Sequence, residues 1–260
     1  VVKLKREIKA PEGSVIFLFG LTITKGPVGM PMAKSRDLSK NQNSIMEINL
    51  QDLREDYRKD AIDISTVAEN PYDQFDDWLR EALKADVPEP NAMTLATVTP
   101  DGRPSARIVL LKGIDPEGLV FYTNYESRKG RELAVNPYAS LVFLWLPLQR
   151  QVRIDGTVEK VSAAESLEYF QSRPWGSQIG AWASPQSREI ENREVLEKKV
   201  EELRDTYKDV NKLPRPEHWG GYRVKPERIE FWQGRSSRLH DRIEYTRQPD
   251  GSWKIVRLAP

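Results

Sequence analysis

Cysteine does not occur in this 260-residue chain, and histidine occurs only twice, at His218 and His240. The first absence removes disulfides, thiolate metal ligands and a thiol nucleophile together. The second rules out a His-rich metal centre and leaves two candidates for any imidazole chemistry. Long apolar runs are missing too. A membrane helix needs ~20 apolar residues, and the longest run here, Val15 to Leu21 with Ile23 behind it, is interrupted by Gly20. No sign of charge dominates: Lys+Arg number 40, Asp+Glu 39, and the net charge is +1. Such a chain has no global field for nucleic acid, so any anion site must be local. No Gly-x-Gly-x-x-Gly follows a strand, and no serine is framed as a nucleophile elbow. The stretch Gly20 to Gly26 has Pro27 where a phosphate loop carries its lysine.

What is present supports a core, with 38% apolar and 9% aromatic residues. Residues 1–46 read as an irregular tail, with Pro11, Pro27, Pro31 and the polar stretch Lys34 to Asn43. Their basic start also admits a targeting segment, opposed by Glu7 and Glu12. Asn49 to Lys59 reads as a short helical stretch. Asn70-Pro71 opens a better helix, with Tyr72, Phe75, Leu79, Ala82 and Leu83 at helical spacing. Strands are expected at Met93–Val98, Ser105–Lys112, Leu119–Thr123, Leu141–Leu146 and Gln151–Val161, separated by turns such as Pro100-Asp-Gly102. Helices over Ala163–Gln171 and Glu189–Tyr207 follow. Strands return at Arg228–Gln233, Arg242–Arg247 and Trp253–Leu258. Locally paired strands with flanking helices predict an α+β domain built on an antiparallel barrel or curled sheet, spanning residues 47–260.

Cationic and polar residues gather at the ends of these strands. Arg107 and Lys112 bracket Ile108-Val109-Leu110-Leu111. Tyr122-Thr123 is followed by Ser127-Arg128-Lys129-Gly130, and Arg150-Gln151-Val152-Arg153, Ser172-Arg173-Pro174 and Arg238-Leu239-His240-Asp241-Arg242 complete the set. Singly, each has a plain structural account as a solvated cation, a helix start or a helix stop. Together they place much of the Arg and Lys beside the most apolar strands. Partly buried cations need anionic partners. Few carboxylates lie within these segments, so bound phosphate is the expected partner.

The ordered run Arg107-Ile-Val-Leu-Leu-Lys112, Phe121-Tyr-Thr-Asn124, Ser127-Arg-Lys129, Arg150-Gln-Val-Arg153, Tyr169-Phe-Gln-Ser-Arg-Pro174, Ser177-Gln-Ile-Gly-Ala-Trp182, Gln186-Ser187, Trp219-Gly-Gly-Tyr222, Glu230-Phe-Trp-Gln-Gly234, Arg238-Leu-His-Asp-Arg242 and Arg257-Leu-Ala-Pro260 closely resembles the pyridoxamine 5′-phosphate oxidase family. The resemblance spans roughly residues 50–260. It implies an FMN-binding split β-barrel homodimer, with FMN in two clefts at the subunit interface. The implied reaction oxidises pyridoxamine 5′-phosphate or pyridoxine 5′-phosphate with O2, giving pyridoxal 5′-phosphate and hydrogen peroxide. By the same resemblance, FMN contacts Arg107, Ile108, Val109, Leu110, Leu111, Lys112, Tyr122, Thr123, Arg128, Lys129, Gln151, Gln186, Ser187, Trp232 and Arg242. The substrate phosphate meets Lys112, Tyr169, Arg173 and Ser177. Arg238 and His240 lie over the substrate ring as the catalytic pair, and Arg54 and Tyr57 belong to a lid. No metal, nucleic acid or membrane is implied. The cytoplasm is the expected compartment, with the mitochondrion the alternative if the N-terminal segment is a targeting sequence. The alternative function is a split-barrel flavin- or pyridoxal-phosphate-binding protein without oxidase activity.

Overall fold

The computed structural model describes residues 8–9, 15–16, 53 and 55–260. Residues Val1–Leu53 and Arg54–Pro260 form separate compact units. In the first, Ile8–Lys9 (β1) and Val15–Ile16 (β2) pair antiparallel; the rest of the expected tail, and Arg54, lie outside the described residues.

In the second unit, Asn70 caps helix α1 (Pro71–Lys84) by accepting the Tyr72 N–H on its side chain, and proline occupies the first turn, where no N–H is needed. The buried face is Pro71, Gln74, Phe75, Trp78 and Ala82. This corrects the expected stripe at one point: Leu83 is exposed, because Trp78 takes the core position. Its ring meets Phe231 edge-on at 5.2 Å, and Phe75 meets Phe143 at 5.0 Å.

Nine antiparallel strands follow: β3 (Ala92–Val98), β4 (Pro104–Leu110), β5 (Gly113–Asp115), β6 (Gly118–Asn124), β7 (Tyr138–Trp145), β8 (Arg150–Lys160), β9 (Trp219–Gln233), β10 (Asp241–Arg247) and β11 (Trp253–Leu258). The main path runs β11-β10-β9-β8-β7-β3-β4, and β6 pairs with β5 and β9. Alternation on β8 is clean, with Val152 and Ile154 inward and Arg153 outward. The long β9 was expected only from Arg228 onward. Its first half, Trp219–Val224, pairs with β6, and its second half with β10. A strand serving two partners on one edge curls the sheet into a half-barrel. A bulge lies between Asp155 and Gly156 of β8.

At that bulge a Cβ on Gly156 would sit 2.1 Å from the Lys225 carbonyl oxygen. Backbone cannot yield as a side-chain tip does. Gly156→Ala is therefore expected to cost ~2 kcal/mol and lower the melting temperature by several degrees in a thermal unfolding scan; an unchanged midpoint would contradict the close approach.

Helices α2 (Arg128–Val135), α3 (Ala163–Ser172), α4 (Trp175–Ala183) and α5 (Arg193–Thr206) flank the sheet. A second small core of Phe170, Ile179, Leu213 and Trp219 lies beneath α3 and α4. The helical expectation for Asn49–Lys59 fails where it is described: residues 55–60 are not helical. Tertiary contacts override propensity there, since the Arg58 and Lys59 N–H groups both donate to the Gln149 Oε1 atom.

Candidate active site

A cleft of about 830 Å³ opens between β4, the end of β6, and helices α2 to α4. Arg107, Ile108, Val109, Leu110 and Lys112 form one wall, with Tyr122, Thr123, Lys129 and Gln186 beside them. Tyr169, Arg173 and Ser177 line the same space. Twelve of the residues expected at the site therefore converge on a single cleft.

Three cations in it have no carboxylate partner among the described residues: exposed Lys112, buried Lys129 and half-buried Arg173. Lys129 is buried, and its Nζ donates to Thr123 Oγ1 at 3.1 Å and Gln186 Oε1 at 3.3 Å. Burial, with the nearby Arg107 charge, pulls its ammonium down to about 8. Arg173 packs its guanidinium 4.7 Å over the Trp219 ring, and its buried Nη1 has no hydrogen-bond partner among the described residues. Burial lowers its pKa as well. A buried donor left unpaired costs free energy that a bound anion recovers. Tyr122 and Tyr169 stack at 3.8 Å, with Trp219 parallel to Tyr122 at 5.6 Å. Burial pushes the Tyr122 phenol up to about 12, so it stays a neutral donor.

Four other arginines correct the expectation of a phosphate partner. Carboxylates outside the cationic runs reach them: Glu132 meets Arg107 across the fold and Arg128 from one turn along the same helix, Arg150 meets Asp60 and Glu81, and Arg242 forks onto both Glu230 oxygens at 2.9 Å. Local scarcity of Asp and Glu in a segment said nothing about what the fold brings to it.

Three more expected residues stand beside the cleft without lining it. Leu111 turns into the core, Arg128 is exposed, and Ser187 adopts a left-handed φ of 68° next to Gln186. The remainder form a second group. Gln151, Trp232 and Arg242 share one cross-strand row, since Trp232 pairs with Gln151 on one side and Arg242 on the other. His240 packs on Trp232 at 4.5 Å, and Tyr57 approaches both rings at 6.0 Å. Arg238 is exposed in a short turn with φ of 61°, beside Ser237 at 57°. None of this second group lines the cleft.

His240 has a fixed hydrogen-bond polarity. The Arg235 N–H donates to its Nδ1 at 3.1 Å, so the neutral ring carries its proton on Nε2. Burial, with the Arg238 charge, lowers its pKa. It therefore presents a donor at Nε2. Asn124, Ser184 and Trp219 line the cleft but were not singled out; only a place inside the family-like runs could have signalled Asn124 and Trp219, and Ser184 falls between two runs with no signal of its own.

Among the described residues, no helix is long and apolar enough to cross a membrane, and no cluster of three or more His, Asp or Glu could hold a metal. Residues 79–207 match the family model for pyridoxamine 5′-phosphate oxidase, and residues 219–260 match that for the pyridoxine 5′-phosphate oxidase C-terminal dimerisation region. A pyridoxine/pyridoxamine 5′-phosphate oxidase of Ralstonia nicotianae is 60% identical over 212 residues, covering 82% of this chain and 99% of that one. One from Cyanothece sp. is 55% identical, covering 83% and 100%. The crystal structure of PhzG from Burkholderia lata, in complex with tetrahydrophenazine-1-carboxylic acid, superposes with a TM-score of 0.73 at 35% identity, covering 77% of this chain and 98% of that one. An FMN-binding protein related to pyridoxamine 5′-phosphate oxidase, from Nostoc punctiforme, shares the fold with a TM-score of 0.59 at 17% identity. The fold is thus the FMN-binding split β-barrel, and the chain belongs to the pyridoxamine 5′-phosphate oxidase family.

Proposed function

We propose that the cleft binds FMN at its Arg107–Lys129 end and the phosphate of a vitamin B6 ester at its Tyr169–Arg173–Ser177 end. The enzyme is an FMN-dependent oxidase of pyridoxamine 5′-phosphate or pyridoxine 5′-phosphate. With the amine, substrate, O2 and water become pyridoxal 5′-phosphate, ammonia and hydrogen peroxide; with the alcohol, no water enters and no ammonia leaves. The observation that carries the reading is a pair of cations in one cleft, buried Lys129 and half-buried Arg173, neither with a carboxylate partner among the described residues. Two separate phosphates answer both. FMN, when bound, supplies the ring that takes hydride from the substrate and passes the electrons to O2.

The protein's residues do the holding. Arg173, stacked on Trp219, offers its unpaired Nη1 to the substrate phosphate, while Ser177 and Tyr169 add hydroxyl donors. Anchoring one end of a rigid ring fixes the other, which is the entropic part of the catalysis. His240 donates from Nε2 rather than accepting at Nδ1, and Arg238 adds a fixed positive charge beside it.

The protein is a homodimer. Four of the second group, Trp232, Arg238, His240 and Arg242, lie within the matched dimerisation region. We take each site to be composite: one protomer gives the cleft, and its partner lays the row of Gln151, Trp232 and Arg242 over the flavin. Exposed Ile108 on the cleft wall and exposed Leu144 and Leu146 near Gln151 are apolar surface that such pairing would cover. We also take residues 47–260 to be the oxidase domain and residues 1–46 a tail outside it. The related oxidases are bacterial, which lends the mitochondrial alternative no support.

The test is turnover. Purified protein given pyridoxamine 5′-phosphate should consume O2 and release hydrogen peroxide in step with pyridoxal 5′-phosphate, and its yellow colour should bleach without air. A preparation that stays colourless and inert with added FMN rules the reading out.

A pH dependence follows from Lys129. Its cation is present below about 8 and lost above, so affinity for the FMN dianion should fall severalfold as pH rises from about 7 to about 9. Lys129→Arg, which does not titrate there, should flatten that slope in a fluorescence titration; a parallel slope in both proteins would assign the effect elsewhere.

A further inference from the structure

One carboxylate governs both arginines at the cofactor end of the cleft. Glu132, in α2, is 4% exposed. Its Oε2 accepts from Arg107 Nη2 at 3.2 Å, Ser105 Oγ at 3.0 Å and Thr97 Oγ1 at 2.5 Å, while Oε1 accepts from Arg128 Nε at 2.9 Å. Burial by itself raises a carboxyl pKa, but the hydrogen bonds from Thr97, Arg128, Ser105 and Arg107 together hold this one at about 2.

The two arginines are left with different capacities. Arg107 also donates through Nη1 to Leu95 O and Thr97 Oγ1, and through Nη2 to Ser105 Oγ. Four of its five N–H groups are therefore committed to protein, and only Nε–H remains for a ligand. Arg128 is the reverse. It commits Nε to Glu132, and its Nη groups have no partner among the described residues, on a side chain 60% exposed.

We propose that Glu132 is a positioning residue for the FMN phosphate: it locks Arg107 into the wall as a fixed charge and grips Arg128 by Nε so that the Nη edge is held out for the phosphate. The inference rests on the cleft being the FMN site. It departs from a plain counter-charge role in one respect. A counter-charge weakens dianion binding, so its removal would tighten FMN; a positioning group strengthens binding, so its removal loosens FMN.

Two variants separate charge from reach. Glu132→Gln keeps the length but accepts from only one arginine, and Glu132→Asp keeps the charge but is one methylene too short to hold both. The full chain, stripped of flavin, is titrated with FMN and with riboflavin, which lacks the phosphate. Both variants should bind FMN about tenfold more weakly while riboflavin affinity stays within about twofold. Arg128→Ala should show the same loss, and adding Glu132→Gln to it should change little further. Circular dichroism and thermal unfolding check the fold; if Glu132→Gln does not fold, Glu132→Asp carries the test. FMN binding that is unchanged or tighter in Glu132→Gln, or of wild-type strength in Glu132→Asp, overturns the inference alone. A wild-type chain that binds FMN no better than riboflavin overturns the cofactor reading of the cleft and this inference with it.

Discussion

Mixing protomers that carry Arg173→Ala with protomers that carry Arg238→Ala restores oxidase activity that neither has alone. Arg173 lines the cleft and Arg238 does not, and each variant homodimer carries a lesion in both of its sites. A mixed dimer of a composite-site enzyme puts both lesions into one site and leaves the other intact. Random reassortment of equal amounts makes half the dimers mixed, so recovery should approach about 25% of wild type. Parents at about 1% or less make that rise large. The experiment is unfolding, mixing and refolding of the two variants with FMN, followed by O2 uptake on pyridoxine 5′-phosphate. Recovery no greater than the sum of the parents would place Arg173 and Arg238 in the same protomer's site and remove the composite arrangement.

Arg173→Ala on its own should lower kcat/KM by roughly a hundredfold, about 2.7 kcal/mol of transition-state stabilisation. The size follows from the setting. Arg173 is a partly buried cation with an unpaired Nη1, stacked on an indole and free of any carboxylate among the described residues. A surface arginine in solvent would cost far less. Arg173→Lys keeps the charge but loses the planar fork and the stacking on Trp219, so a loss of roughly tenfold should remain. FMN affinity is the internal control. If the variant loses FMN and substrate alike, the division of the cleft into two phosphate ends is wrong. A loss confined to the phosphorylated substrate supports it.

These two results bear on how the chain could be read. The α+β class, the antiparallel strands and the cap at Asn70 were legible because each is a short-range pattern: alternation of period two, turns of Asp-Gly type, and a side chain accepting its own helix's N–H. The family-like runs carried the cleft residues from Arg107 to Gln186 in the same way. Three things were not legible. The first half of β9 is rich in glycine, and Trp219–Val224 forms a strand because β6 and β8 flank it. Residues 55–60 have helical composition but are held open by Gln149. The third is the pairing of arginines with Asp60, Glu81, Glu132 and Glu230.

That last difference marks the division. Sequence order by itself determined which side chains exist, which strands alternate, and that chemistry through thiols or His-rich metal centres is excluded. It could not say which cations are already neutralised, because a carboxylate can approach from a sequence separation of 90 residues, as Asp60 does toward Arg150. Only the tertiary structure decided that, among the described residues, Lys129 and Arg173 remain without carboxylates while Arg107 and Arg242 do not. The physical reason is that charge compensation depends on distance in space and on burial, and neither is a local property of the chain.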